Sequence, residues 1–183
     1  MILSQLYGFI TQPKRYIAIH SGFRPTPLCF LSLLLAASAI LTETNRLSLN
    51  PIIILILATL IYTFFIFVQS IVTDFFAQFF KFKANSYRLF LWLGISLLPL
   101  SLNMPLNILS ARLPNSFSLL WDLATLAIVM SVVYLQIQSI KAIYDCTTKR
   151  SIVMYIMPAI VFLGFISLFI ILITGLATLF RLH

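Results

Sequence analysis

From Pro51 to Phe80 the chain runs for about 30 residues with a single charged side chain, Asp74. As an α-helix rising 1.5 Å per residue this stretch is roughly 45 Å long, more than the ~30 Å of hydrocarbon in a bilayer. A helix this long and this apolar needs an apolar solvent over most of its surface, and over that length a bilayer supplies it. Further apolar runs give predicted spans at about 28–44, 51–80, 88–104, 117–145 and 152–180. With 61% hydrophobic and 9% charged residues and a mean hydropathy of +1.07, the chain lies far from the balance of soluble domains.

Inside a bilayer the backbone must satisfy its own hydrogen bonds, and long runs with few glycines predict helices, whereas barrel strands alternate in short segments. The expected fold is an all-α polytopic bundle of five transmembrane helices with a short N-terminal interfacial helix. Residues 1–27 are expected to form a cytoplasmic or interfacial segment and 28–183 the membrane domain.

Twelve Lys and Arg stand against four Asp and Glu, spread thinly between the apolar runs. A nucleic-acid face needs clusters, so the lipid bilayer is the expected partner and nucleic acid is not. With the N-terminus inside, the cytoplasmic segments hold Lys14, Arg15, Arg24, Lys81, Lys83, Arg88, Lys141, Lys149 and Arg150, and the other face holds Arg46, Arg112 and Arg181. That bias predicts a cytoplasmic N-terminus and, after five crossings, a C-terminus on the opposite side. The basic residues near the start follow the first apolar stretch, so a secretory signal is not expected.

Three segments depart from a plain bundle. Residues 1–12 place Ile2, Leu6, Phe9 and Ile10 on one side, suiting a helix that lies in the interface or packs under the bundle. Three prolines in residues 99–116 predict a third span that bends or ends early, with Pro105 and Pro114 as loop boundaries. The second and fourth runs are overlong, so their cytoplasmic ends tilt or project and Asp74 moves towards the inner boundary.

At that boundary Ser70, Asp74 and Gln78 recur every fourth residue, with Thr73 alongside, and Gln138, Lys141 and Asp145 recur on the fourth span, with Tyr134 earlier. An ionisable group near hydrocarbon calls for a partner, and counting from the outer helix starts puts Lys141 level with Asp74. Asp74 with Lys141 is therefore the first expected ion pair, and Asp145 with Lys141 the competing one. These six residues either fasten two helices or line a polar cavity open to the cytoplasm. Asp122, beside Trp121, suits the outer interface. Gln69-Ser70-Ile71 and Gln138-Ser139-Ile140 each precede a basic turn and a helix broken by proline, at Pro99 or Pro158, which hints at a parallel repeat.

Catalytic patterns are sparse. His20 and His183 are the only histidines, which leaves a serine–histidine pair poorly supported, and there is no HExxH, acidic metal cluster or glycine-rich phosphate loop. Cys29 and Cys146 stand alone and read as small buried hydrophobes. No cofactor or metal is expected.

The stretch YGFITQPKRYIAI before the first span, with Pro13 followed by Lys14 and Arg15, the five closely spaced helices, and LQIQSIKAIYDCTTKRS at the end of the fourth together resemble the Ypt-interacting-protein (YIP) domain family. The resemblance implies a membrane module without established catalysis, of a compact prokaryotic type and hence in a bacterial cytoplasmic membrane. Eukaryotic members bind small GTPases through a long N-terminal region; about 27 residues precede the first span here, so GTPase binding is not expected. The function expected first is a non-enzymatic scaffold that engages another membrane protein or itself. The alternative is a small transporter or lipid-handling protein with a polar cavity between the second and fourth helices.

Overall fold

The computed structural model describes residues 2–19, 25–43, 50–112 and 117–181, and among these every regular element is helical. In order they are α1 (Ile2–Thr11), α2 (Pro13–Ile19), α3 (Thr26–Glu43), α4 (Pro51–Phe79), α5 (Ser86–Ile95), a 3₁₀ segment (Leu98–Leu102), α6 (Asn103–Ser110), α7 (Ser118–Tyr144) and α8 (Thr148–Arg181). The chain is an all-α helical membrane bundle. Among the described residues four stretches are long and apolar enough to cross a membrane: Pro51–Phe79, Ser86–Ser110, Ser118–Tyr144 and Thr148–Thr174. The first expected span, α3, is shorter, and its 18 residues measure roughly 27 Å. His20, Arg24, Arg46, Pro114 and His183 lie outside the described residues.

α4 begins where the sequence dictates. Asn50 Oδ1 accepts the Ile52 N–H at 2.9 Å, and Pro51 sits in the first turn, where its missing N–H costs nothing. Its buried face is Ile66, Ser70, Thr73, Asp74 and Ala77, a single helical stripe. Ile52, Ile53, Ile56, Leu57, Leu60 and Phe64 are exposed on the remaining surface, as an apolar helix in lipid requires.

α5 is the centre of the bundle. Every residue from Leu91 to Leu97 is buried, and α3, α4 and α7 all pack on this helix. Small residues allow the close approach. A methyl group at Gly94 would overlap Cys29 Sγ of α3, and next to it Ser32 Oγ donates to the Gly94 carbonyl at 2.7 Å. Both cysteines are free and buried, as expected of small hydrophobes.

The N-terminal segment belongs to this core. Phe9, 2% exposed, stacks on Trp92 of α5 at 5.2 Å, and the Tyr16 ring meets Trp92 edge-on at 6.0 Å. Ile17 is fully buried, and its carbonyl accepts from Arg88 Nη2 at 3.0 Å. Phe9 and Ile17 thus pack the N-terminal segment against the bundle, one of the two arrangements its pattern suits. Burial of Phe9 and Ile17 removes their apolar side chains from water, and the stack of Phe9 on Trp92 adds to that gain.

The prolines act differently from one another. Pro99 ends α5 as expected, through the 3₁₀ segment Leu98–Leu102. Pro105 is not a loop boundary but the third residue of α6, in the first turn, where no intrahelical partner for its nitrogen is needed. Pro158 lies inside α8 without breaking it; only one backbone bond is lost in a helix of 34 residues. α8 also starts earlier than expected, so Thr148, Lys149 and Arg150 form its first turn and not a loop.

Candidate functional site

Where α4 ends, the chain turns through Phe80–Asn85 and re-enters the bundle as α5, and the carboxylate of Asp74 lies against that re-entry. Asp74 is 3% exposed. The Asn85 N–H donates to its Oδ1 at 2.8 Å and Ser86 Oγ donates to Oδ2 at 2.9 Å. Asn85 is the cap residue of α5 and its own side chain makes no capping bond. The cap is borrowed from α4: a carboxylate placed at a helix N-terminus, where the macrodipole favours negative charge.

The third bond comes from α7, whose Tyr144 hydroxyl donates to Asp74 Oδ1. Tyr144 is buried, and its ring lies 5.9 Å from that of Phe82 in the α4–α5 turn. One carboxylate therefore joins α4, the start of α5 and the end of α7 by charge-assisted hydrogen bonds, which offset the cost of burying it.

Lys141 is not the partner of Asp74. Its Nζ donates to Thr148 Oγ1 at 2.8 Å, across the turn from α7 to α8. Level depth was the basis for the expected pair, but depth leaves the helical azimuth free. Tyr144, three residues on, is the side chain that faces α4, while Lys141 stays at the half-exposed rim near water and the negative end of the α7 dipole. Asp145 is the exposed cap of α7, with a left-handed backbone at φ 44°, ψ 45° that reverses the chain. Its N–H bonds the Lys141 carbonyl.

The expected stripe on α4 divides. Ser70 is buried and donates to its own helix at the Phe67 carbonyl, 2.8 Å away, whereas Gln78 is exposed. Burial follows Ser70, Asp74 and Ala77, so the contact face drifts off the strict four-residue repeat. Gln138 is half-buried on α7, and Asp122 is exposed. Two polar contacts between helices complete the inner network. Ser96 Oγ and Ser139 Oγ are 3.2 Å apart between α5 and α7, and Gln69 Nε2 donates to Gln136 Oε1 at 3.4 Å between α4 and α7.

Sequence reasoning missed Asn85, Ser86, Tyr144 and Gln136. A signal for the first two was present: Asn85-Ser86 opens an apolar run and reads as a helix start, which leaves orphan N–H groups seeking an acceptor near Asp74. Tyr144 had no such signal, because its direction depends on helix rotation.

Among the described residues grooves open on the apolar flanks, and three of them adjoin polar side chains. A groove of about 460 Å³ between α4 and α5 is lined by Phe67, Ser70, Ile71, Ser86, Tyr87 and Phe90. Asp74 does not line it, and both serine hydroxyls are engaged as described above. A larger one, about 740 Å³, lies where Ile10 meets Leu98, Pro99, Leu102, Met130 and Tyr134. The third, about 320 Å³, lies between α4 and α8 beside Gln69 and Pro158. Among the described residues no cluster of His, Cys, Asp or Glu is arranged to hold a metal ion.

Fold and site together define a helical integral membrane protein whose polar centre is a carboxylate tying three helices. Compared with models of protein families, with curated proteins and with solved structures, the chain matches none.

Proposed function

We propose that this chain is a non-enzymatic membrane scaffold, a partner-binding module of YIP type whose basic end faces the cytoplasm of a bacterial cell. Its partner is another membrane protein or a second copy of the chain. The observation that supports this best is the saturation of Asp74. A carboxylate that carries an ion or proton must exchange partners during its cycle, and this one is buried under three donors, two from the start of α5 and one from α7. It suits a fixed frame that presents its outer surfaces. The outer half of α8, from Phe162 to Thr174, is exposed along its whole circumference, leaving one long apolar helix for lipid or a partner.

The groove beside Ser70 and Ser86 favours a second reading, lipid handling, since it opens next to the Asp74 cluster. One experiment separates the two. Thermal stability and lipid or ion flux in proteoliposomes are measured for Asp74→Asn and Tyr144→Phe. A scaffold loses stability in both variants and shows no flux in the unmodified chain. A flux that disappears while stability stays intact refutes the scaffold reading.

A further inference from the structure

We propose that the end of the bundle formed by the α4–α5 and α7–α8 turns is a docking surface for anionic phospholipid head groups. The two turns are far apart in sequence, yet the bond from Tyr144 to Asp74 and the contact between the Phe82 and Tyr144 rings hold them side by side. Lys81 and Lys83 flank Phe82, and Lys141, Lys149 and Arg150 surround the second turn. Against these cations the two turns and the helix ends beside them carry two acids, Asp145 and the buried, fully engaged Asp74. The face is therefore strongly positive.

Helix stability does not account for this placement. Lys149 and Arg150 occupy the first turn of α8, where the macrodipole is itself positive and disfavours them. They are exposed, as are Lys81 and Lys83, so each is open to an external anion. The surrounding surface places those charges at head-group level. Phe75 and Phe79 are exposed on the last turns of α4 and Phe80 at its C-cap, immediately before Lys81. Phenylalanine rings suit the acyl region and the lysines that follow at once suit the head groups, so the boundary falls between them. Cations at that level attract anionic lipid, and the attraction decays within a Debye length as salt rises.

The test uses the full chain reconstituted in vesicles of phosphatidylcholine mixed with phosphatidylglycerol, extracted in mild detergent and examined by native mass spectrometry. Phosphatidylglycerol is expected to be retained over phosphatidylcholine, and the preference to fall as sodium chloride is raised. The variant Lys81→Gln/Lys83→Gln/Lys149→Gln/Arg150→Gln is expected to lose at least about tenfold of the preference. Arg112→Gln, after α6 at the far end, is expected to keep it. Equal retention of the two lipids, or an unchanged preference in the fourfold variant, overturns the proposal. If soluble glycerol phosphate at matched ionic strength displaces the lipid, the surface recognises a free phosphoanion and the lipid assignment fails. Should the fourfold variant not fold, the salt titration of the unmodified chain decides, and a salt-insensitive preference counts against the proposal.

Discussion

Tyr144 in the last turn of α7 donates its hydroxyl to Asp74 of α4, 70 positions earlier in the chain, and so closes the basic end of the bundle. The same carboxylate caps α5, so deleting either partner is felt in three helices. Asp74→Asn is expected to lower stability by about 2–3 kcal/mol, because its amide turns a donor towards groups that are themselves donors. Tyr144→Phe should cost about 1–2 kcal/mol. Denaturation of the two single variants and the double variant in micelles checks this, with a coupling of at least about 0.5 kcal/mol expected between the sites.

Lys141 provides the contrast. Its bond to Thr148 is exposed, so Lys141→Met is expected to change stability by less than about 1 kcal/mol. Combining it with Asp74→Asn should be additive. A double variant more stable than Asp74→Asn alone would revive an ion pair between them.

At the crossing of α3 and α5, Gly94→Ala places a methyl group on Cys29 Sγ. The sulfur belongs to a short, fully buried side chain with little freedom to move away, so a loss of about 1–3 kcal/mol is expected. Cys29→Ala should recover most of that loss when combined with Gly94→Ala. Thermal melting of the three variants reads the compensation directly.

Two turns use left-handed residues that are not glycine, Lys81 at φ 63° and Asp145 at φ 44°. Lys81→Gly relieves a conformational cost of roughly 1 kcal/mol, part of which returns as greater freedom of the unfolded chain. Stability should stay level or rise slightly, whereas Lys81→Val should lower it, because a β-branched side chain is disfavoured there. Equal melting temperatures for the glycine and valine variants would contradict the backbone assignment.

Docking of the N-terminal helices is read through Trp92. In a Trp121→Phe background, Phe9→Ala removes the stacked ring, and the emission of Trp92 is expected to change together with a loss of about 2–4 kcal/mol. An interfacial helix independent of the bundle would leave both unchanged.

The fold class was legible because bilayer hydrocarbon and the hydrogen-bonding needs of the backbone leave an uninterrupted apolar run of this length few options other than a helix. The boundaries of α4 and α7 were legible for the same reason. Pro51 and Asn50 mark the start of α4, and the end of the apolar run marks the end of α7. The sequence also made plain that Asp74 needed a partner near one end of its helix. It did not say which partner. Depth follows from counting residues, but the direction in which a side chain points is set by helix rotation, and rotation is fixed by packing at sites such as Gly94 against Cys29. Length likewise could not reveal that Phe9 enters the core, since the same amphipathic pattern suits lipid and protein equally. The sequence by itself determined that this protein is a helical bundle in a membrane with a carboxylate near its boundary. Only the tertiary structure decided that the carboxylate is met by Tyr144, Ser86 and the Asn85 backbone, because those groups converge only once three separate helices have packed.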